Sequence, residues 1–274
     1  MDIYGEITNR IISEMEQGII PWKKPWIASG AAISHTTGKR YSLLNQMLLG
    51  RPGEYITFKQ AQQEGGHVRQ GEKSHIVVFW KFLPVIDEDT REEKQVPFLK
   101  YYNVFHIDQC EGITAKHTQP MPNSATADET AESIIAAYVE REGVSLDHTE
   151  GDAAFYQPAA DRIVLPLLAQ FAETAEYYGT AFHEMVHSTG HMKRLARLEA
   201  PAHFGGEEYS KEELIAEIGS AALVSHCGLE TPQSFHNSAA YIQGWLRALK
   251  DDKRFIVSAA GKAEKAVDYI LTGT

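Results

Sequence analysis

Cysteine is nearly absent: among 274 residues there are two, Cys110 and Cys227, one in each half of the chain. Two cysteines so placed make no disulfide framework, and they fit a reducing, cytoplasmic compartment. They cannot build a four-cysteine zinc site either, so any metal must be held by histidines and carboxylates. Also missing is any apolar run near the roughly 20 residues a bilayer span requires, so no membrane partner is expected. Residues 1–6 show neither the basic nor the apolar region of a secretory signal. Low-complexity tracts and internal repeats are absent. With 43% hydrophobic and 23% charged residues, the composition is that of an ordinary folded protein. The length is generous for one core and comfortable for two.

Positive charge is scarce in the second half. Residues 1–120 hold 14 basic and 14 acidic side chains, whereas residues 121–274 hold 12 and 23. Within the first half, Asp87, Glu88, Asp89, Glu92 and Glu93 crowd one short segment, leaving the remainder net basic. An acidic second half would repel a phosphate backbone, so a nucleic-acid partner would have to be bound by the first half.

Apolar spacing predicts a helix over residues 5–17, ended by Gly18 and Pro21. A rigid, aromatic and basic segment follows, Pro21-Trp22-Lys23-Lys24-Pro25-Trp26. A second helix is expected over 41–49, and a strand or turn entering a third helix over 55–64. Residues 75–82 and 100–107, rich in β-branched and aromatic side chains, read as paired strands. The stretch 114–130, with two prolines and no apolar periodicity, reads as a linker. The fold class is therefore α+β in two domains. The first, an α+β unit, spans 1–115; the linker spans 116–129; a mainly helical domain with a small sheet spans 130–274. In the latter, helices are expected over 131–141, from 171 to about 197 and at least as far as a Ser-Thr-Gly break at 188–190, and over 210–226, 238–250 and 259–271. Ser210 should cap the third of these, with Glu213 at its capping-box position. Short strands are expected at 153–156 and 162–165.

The densest chemistry lies in His183-Glu184-Met185-Val186-His187. Histidines four apart on a helix share a face, so both imidazoles can reach one ion. Glu184, one step round, could hold a water on that ion and act as its general base. The ion would be divalent, zinc foremost, although such a donor set also accepts manganese, cobalt or nickel. A metzincin would place its third histidine at position 193, which is Lys193. The alternative is a carboxylate from Glu213-Leu214-Ile215-Ala216-Glu217, where Glu213 and Glu217 share a face. Zincins with a glutamate ligand show Glu-x-x-Ala followed by an acidic residue or Asn. By that resemblance Glu213 is the ligand and Glu217 orients a ligand histidine; the reverse assignment stays open. Strand 162–165 resembles the zincin edge strand that pairs with an extended peptide. His203, Tyr209, His236 and Tyr241 follow the motif, and no spacing singles one out as an oxyanion donor.

Along nearly its whole length the chain resembles the ArdC-type antirestriction proteins of plasmids and phages. The resemblance is carried in the first half by residues 7–12, Gly18-Ile19-Ile20-Pro21-Trp22-Lys23-Lys24-Pro25-Trp26, Thr37-Gly38-Lys39-Arg40-Tyr41, residues 57–61, Gly71-Glu72-Lys73, residues 78–81 and residues 104–112. In the second half it is carried by residues 183–191, Glu212-Glu213-Leu214-Ile215-Ala216-Glu217 and Tyr241-Ile242-Gln243-Gly244-Trp245-Leu246. His106 departs from the pattern, where Asn is expected. The resemblance implies a single-stranded-DNA-binding domain, a zincin-like metallopeptidase domain acting on an unidentified protein or peptide, and protection of incoming DNA from restriction. Single-strand binders combine a basic track with exposed aromatics. Trp22, Lys23, Lys24, Trp26, Lys39, Arg40, Tyr41, Lys59, Arg69, Lys73 and Lys81 could supply these, unless the rings are core and the lysines a solvated face. Two other functions compete. One is a DNA-binding protective protein whose metal site is structural or silent, which a fourth ligand such as His191 would favour. The other is a metal-dependent nuclease, which would favour clustered carboxylates over this set.

Overall fold

The computed structural model describes residues 2–23, 30–86, 93–117, 127–198, 207–229 and 239–274. The chain divides into two compact units, one of residues 1–7 and 31–119, the other of residues 8–30 and 120–274. Helix α1 (Ile3–Glu16) buries Ile3, Ile7, Ile11, Ile12 and Met15 at helical spacing, as its sequence predicts.

The first unit is α+β. It contains β1 (Ala32–Ser34), α2 (Leu43–Leu49), β2 (Gly53–Ile56), α3 (Phe58–Gln63), β3 (His67–Val68), β4 (His75–Ile86), β5 (Glu93–His106) and β6 (Cys110–Glu111). Its main sheet has the order β1-β2-β5-β4, with β1 parallel to β2 and the other pairs antiparallel. β3 and β6 form a separate antiparallel pair. The expected 75–82 and 100–107 strands are the roots of a longer hairpin. Thr57 starts α3 through a capping box with Gln60. Asn45 of α2 bonds the backbone N–H and carbonyl of Val78 at 2.8 Å each, covering an edge of β4. His106 accepts a hydrogen bond from the Asp108 backbone N–H at Nδ1, the capping work an Asn side chain can also do. Its ring fills the space where a Cβ on Gly53 would lie, so position 53 needs glycine on steric grounds as well as for its φ of 118°.

Glu54 is buried, and its Oε1 accepts from the backbone N–H groups of Lys116 and His117 at 2.9 and 2.7 Å. Its other oxygen lies 2.5 Å from Nδ1 of the fully buried His35, whose Nε2 is 3.0 Å from Glu64. Burial opposes the Glu54 charge, but these donors outweigh it and lower the carboxyl pKa. The first unit thus holds the chain to His117, two residues into the stretch expected as linker. Residues 118–126, and the acidic positions 87–92, lie outside the described residues.

The second unit is mainly helical: α4 (Ala127–Glu142), α5 (Thr174–Thr189), α6 (Glu207–Cys227), α7 (Ala239–Asp251) and α8 (Phe255–Thr272). Its sheet contains β7 (Ser145–Thr149), β8 (Phe155–Gln157) and β9 (Arg162–Pro166), in the order β7-β9-β8. Two expectations change. β9 is the central strand, paired parallel to β7 and antiparallel to β8, so it cannot be the substrate-receiving edge. Among the described residues α6 runs three residues upstream of its expected start, to Glu207. Ser210 is therefore inside the helix, and its carbonyl accepts from the Trp245 indole at 3.1 Å. Among the described residues no helix is long and apolar enough to cross a membrane.

Candidate metal centre

Two helices bring the site together. In α5 the apolar stripe of Ala181, Phe182, Met185 and Val186 is buried, which leaves His183 and His187 on the less buried side. The Ser188 and Thr189 hydroxyls turn back to the carbonyls of Met185 and Val186 at 2.7 and 2.6 Å, and the helix ends at the Gly190 break, short of the expected limit near Arg197. α6 approaches α5 closely because Gly219 has no side chain: a Cβ there would sit 2.8 Å from a Val186 methyl. The Ser220 hydroxyl donates to the Gly179 carbonyl at 2.7 Å and fastens the crossing.

That crossing places Glu213 against both histidines. The two Nε2 atoms are 3.1 Å apart, and Glu213 offers one oxygen at 3.5 Å to His183 and the other at 3.4 Å to His187. One ligand atom from each residue lies within 4.8 Å of the others. The outward Nδ1 atoms face different carboxylates, with Glu217 at 3.8 Å from His183 and Glu212 at 3.4 Å from His187. Imidazoles with Nε2 turned inward and Nδ1 facing a carboxylate, plus one inward carboxylate, are a donor set that fits a divalent ion.

The electrostatics agree. Burial opposes charge on His187, but Glu212 and Glu213 outweigh it and carry the imidazole to about 10. At His183 burial is likewise outweighed, chiefly by Glu213. Burial also opposes charge on Glu213, yet the two imidazoles hold its carboxyl well below the usual carboxylate range. A cation entering this group displaces protons, so its binding weakens as pH falls. Glu184 is buried beside His183, and its charge acts on both imidazoles.

Glu212 and Arg197 are the residues that sequence reasoning missed. Burial opposes the Glu212 charge, but Arg197 and His187 outweigh it and lower the carboxyl pKa. The Arg197 guanidinium donates to both Glu212 oxygens (2.7 and 2.9 Å), to the Val186 carbonyl (2.8 Å) and to the Thr189 hydroxyl (3.1 Å). It thereby ties Glu212 to the last turn of the histidine helix. The available signal is arithmetic: two candidate ligand histidines have two Nδ1 atoms to engage, and Glu217 can serve only one.

The other expected residues fall as follows. His191 lies beyond the end of α5, where its Nδ1 accepts from the Lys193 N–H at 3.2 Å. Among the described residues only His183, His187 and Glu213 form a metal-holding group. Trp22 is 4% exposed and packs edge-on against Trp245 within the second unit, with centroids 5.7 Å apart. Tyr41 is 8% exposed, in the core of the first unit. These two rings are core, and the expectation that they stack on bases is corrected: neither has an open face. Lys39, Arg40, Lys59, Arg69, Lys73 and Lys81 are exposed, and Arg69 pairs with Glu72 at 3.0 Å. Lys24, Trp26, His203 and His236, and the side chains of Lys23 and Tyr241, lie outside the described residues.

Comparison with known proteins meets this geometry. Residues 1–105 match the family described as the N-terminal domain of anti-restriction factor ArdC. Residues 130–262 match the zincin-like metallopeptidase family. The metal-free crystal structure of the antirestriction ArdC protein from plasmid R388 is 36% identical with a TM-score of 0.78, covering 98% of this chain and 97% of that one. Its Mn(II)-bound structure is 35% identical over the same shares, also at 0.78. Two DNA primases TraC of Escherichia coli are each 36% identical, over 98% and 97% of this chain. The chain spans only 27% and 19% of their lengths. The protein y4eC of Sinorhizobium fredii is 32% identical over 98% of this chain and 91% of its own.

Proposed function

The chain belongs to the family of the ArdC antirestriction proteins, and on that footing we propose a protein with two activities, one in each unit. The first unit holds single-stranded DNA; the second hydrolyses a protein or peptide with one divalent ion, zinc foremost. Together they protect incoming DNA from restriction in the cytoplasm, where the two buried cysteines stay reduced. Residues 8–30 cluster with the second unit, and after residue 119 the chain stays in it.

The observation that carries the peptidase reading is the convergence of His183 Nε2, His187 Nε2 and the Glu213 carboxylate. A divalent ion held there would polarise a peptide carbonyl and make water a better nucleophile. Glu184, one residue past His183, takes the proton from attacking water and returns it to the leaving amine. Glu217 and Glu212 hold the imidazole rings with Nε2 inward, and Arg197 fixes Glu212. β8, at the edge of the described sheet and antiparallel to β9, is the strand along which an extended peptide would add. Three protein donors leave positions open for water and substrate, which favours catalysis over a closed structural site.

The test is Glu184→Ala, compared with the native protein on host-extract proteins with and without chelator. Proteolysis falls roughly 10²–10⁴-fold while metal content and DNA binding stay unchanged. Cleavage that persists at the native rate overturns the role given to Glu184.

A further inference from the structure

β4 and β5 pair from His75↔Val104 through Val77↔Tyr102 and Phe79↔Lys100 to Lys81↔Phe98. Side chains alternate along a strand, so these eight residues share one face of the ribbon. At its root that face is core, with Val77 and Val104 buried among Ala32, Tyr41, Leu49 and Tyr55. Farther along it leaves the core and stays aromatic. Phe79 is 43% exposed, Phe98 is 52% exposed, and Tyr102 is half-buried between them and the core. Lys81 and Lys100 are exposed on the same face.

The direct pairs set ring against ammonium, so the surface is a checkerboard. The Tyr102 ring meets Phe79 edge-on at 5.8 Å, Lys100 Nζ stands 5.0 Å from the Tyr102 centroid, and Tyr41 braces Phe79 from below at 6.1 Å. Among these eight positions there are two lysines and no carboxylate.

We propose that this face of the β4–β5 ribbon is the track for single-stranded DNA, with bases stacked on Phe79, Phe98 and Tyr102 and phosphates met by Lys81 and Lys100. The proposal rests on the DNA-binding reading above and adds to it the surface and the mode. Exposed rings at strand spacing suit splayed bases, whereas a duplex keeps its base faces stacked away. Lysine is depleted in protein–protein interfaces, so two lysines between the rings favour a phosphate-bearing partner over a protein one. Of the five residues, sequence reasoning had reached only Lys81. The others read as ordinary strand residues until the register set them on one face beyond the core.

The experiment is fluorescence anisotropy of the full chain with a labelled oligothymidylate of about 20 nucleotides, longer than the roughly 4–16 that comparable sites cover. The double substitution Phe79→Leu, Phe98→Leu keeps apolar bulk but removes two stacking faces, and weakens binding at least about tenfold. The pair Lys81→Gln, Lys100→Gln lowers the slope of log affinity against log salt by about 0.7 per lysine. Trp80→Ala, on the opposite face, leaves binding unchanged. Thermal unfolding at the native temperature in each variant separates lost binding from lost fold. Native affinity in both double variants, or an equal loss in Trp80→Ala, overturns the proposal while the DNA-binding reading survives. Tighter binding of RNA of matching sequence, or of duplex, also overturns it. A native protein that retains no oligothymidylate overturns both.

Discussion

Glu213 and Glu217 stand one helical turn apart on α6 and face different atoms. Glu213 faces both Nε2 atoms, while Glu217 and Glu212 each face one Nδ1. Glu213→Gln should therefore weaken zinc or cobalt binding far more than Glu217→Gln, Glu212→Gln or Arg197→Gln. Each of the latter three is expected to cost about 10–100-fold, measured by equilibrium dialysis or cobalt absorption. A larger loss in Glu217→Gln than in Glu213→Gln would restore the reverse assignment. A second buried charge holds the sheet to α5. Arg194, its side chain 1% exposed, pairs with Asp161 and donates to the Ser188 carbonyl at 2.7 Å. Burial opposes the Asp161 charge, but Arg194 and Tyr156 outweigh it and depress the carboxyl pKa. A depressed folded pKa gives stability that is complete above the unfolded value of about 4 and is lost as pH falls through the folded one. Asp161→Asn keeps the shape and tolerates the φ of 48°. It should destabilise by about 3 kcal/mol at neutral pH, a gap that narrows below about pH 4 in denaturant titrations. The motif histidines were legible because a four-residue spacing on a helix is local geometry. Glu212 was not, because its partner Arg197 comes from a separate turn of chain.

The meeting of α5 with α6 decides whether a site exists at all. Gly219 sets their distance, since its absent Cβ would fall 2.8 and 3.2 Å from the two Val186 methyls. Gly219→Val should cost about 1–3 kcal/mol by overpacking and should weaken metal binding, because Glu213 rides on the displaced helix. Thermal unfolding in chelator, followed by metal titration, checks both; unchanged values would mean that Val186 turns aside at little cost. Helix positions were largely legible, since apolar residues at helical spacing and Gly190 mark α5 in the sequence. Strand order was not. The run Arg162–Pro166 is as apolar as a central strand should be, yet nothing local tells which neighbours it acquires. The start of α6 is not legible either, because Ser210 has the character of a cap and yet lies inside a helix that runs upstream to Glu207.

At the scale of the molecule, residues 8–30 lie early in the sequence but cluster with the second unit. Trp22 packs on Trp245, the Thr8 hydroxyl donates to the Lys253 carbonyl at 2.7 Å, and Lys250 pairs with Glu16 at 2.7 Å. A fragment of residues 120–274 should therefore unfold at a lower temperature than the same fragment supplied with a peptide of residues 8–30. Each kcal/mol restored is worth about 2–4 °C at this size, and truncating a buried Trp costs about 3–5 kcal/mol. Calorimetry with and without the peptide decides it, and an unchanged midpoint would mean that the segment adds little. The sequence by itself determined the helix that carries the metal motif, the lack of disulfides and the two-part plan. Each of these is written in short-range spacing or composition. Only the tertiary structure decided which carboxylate meets which imidazole nitrogen, that β9 is central with β7 and β8 as edges, and that Trp22 serves the second unit. It alone also placed Phe79, Phe98 and Tyr102 on one face with two lysines. These depend on pairings between residues far apart in the chain, chosen by packing that local patterns do not encode.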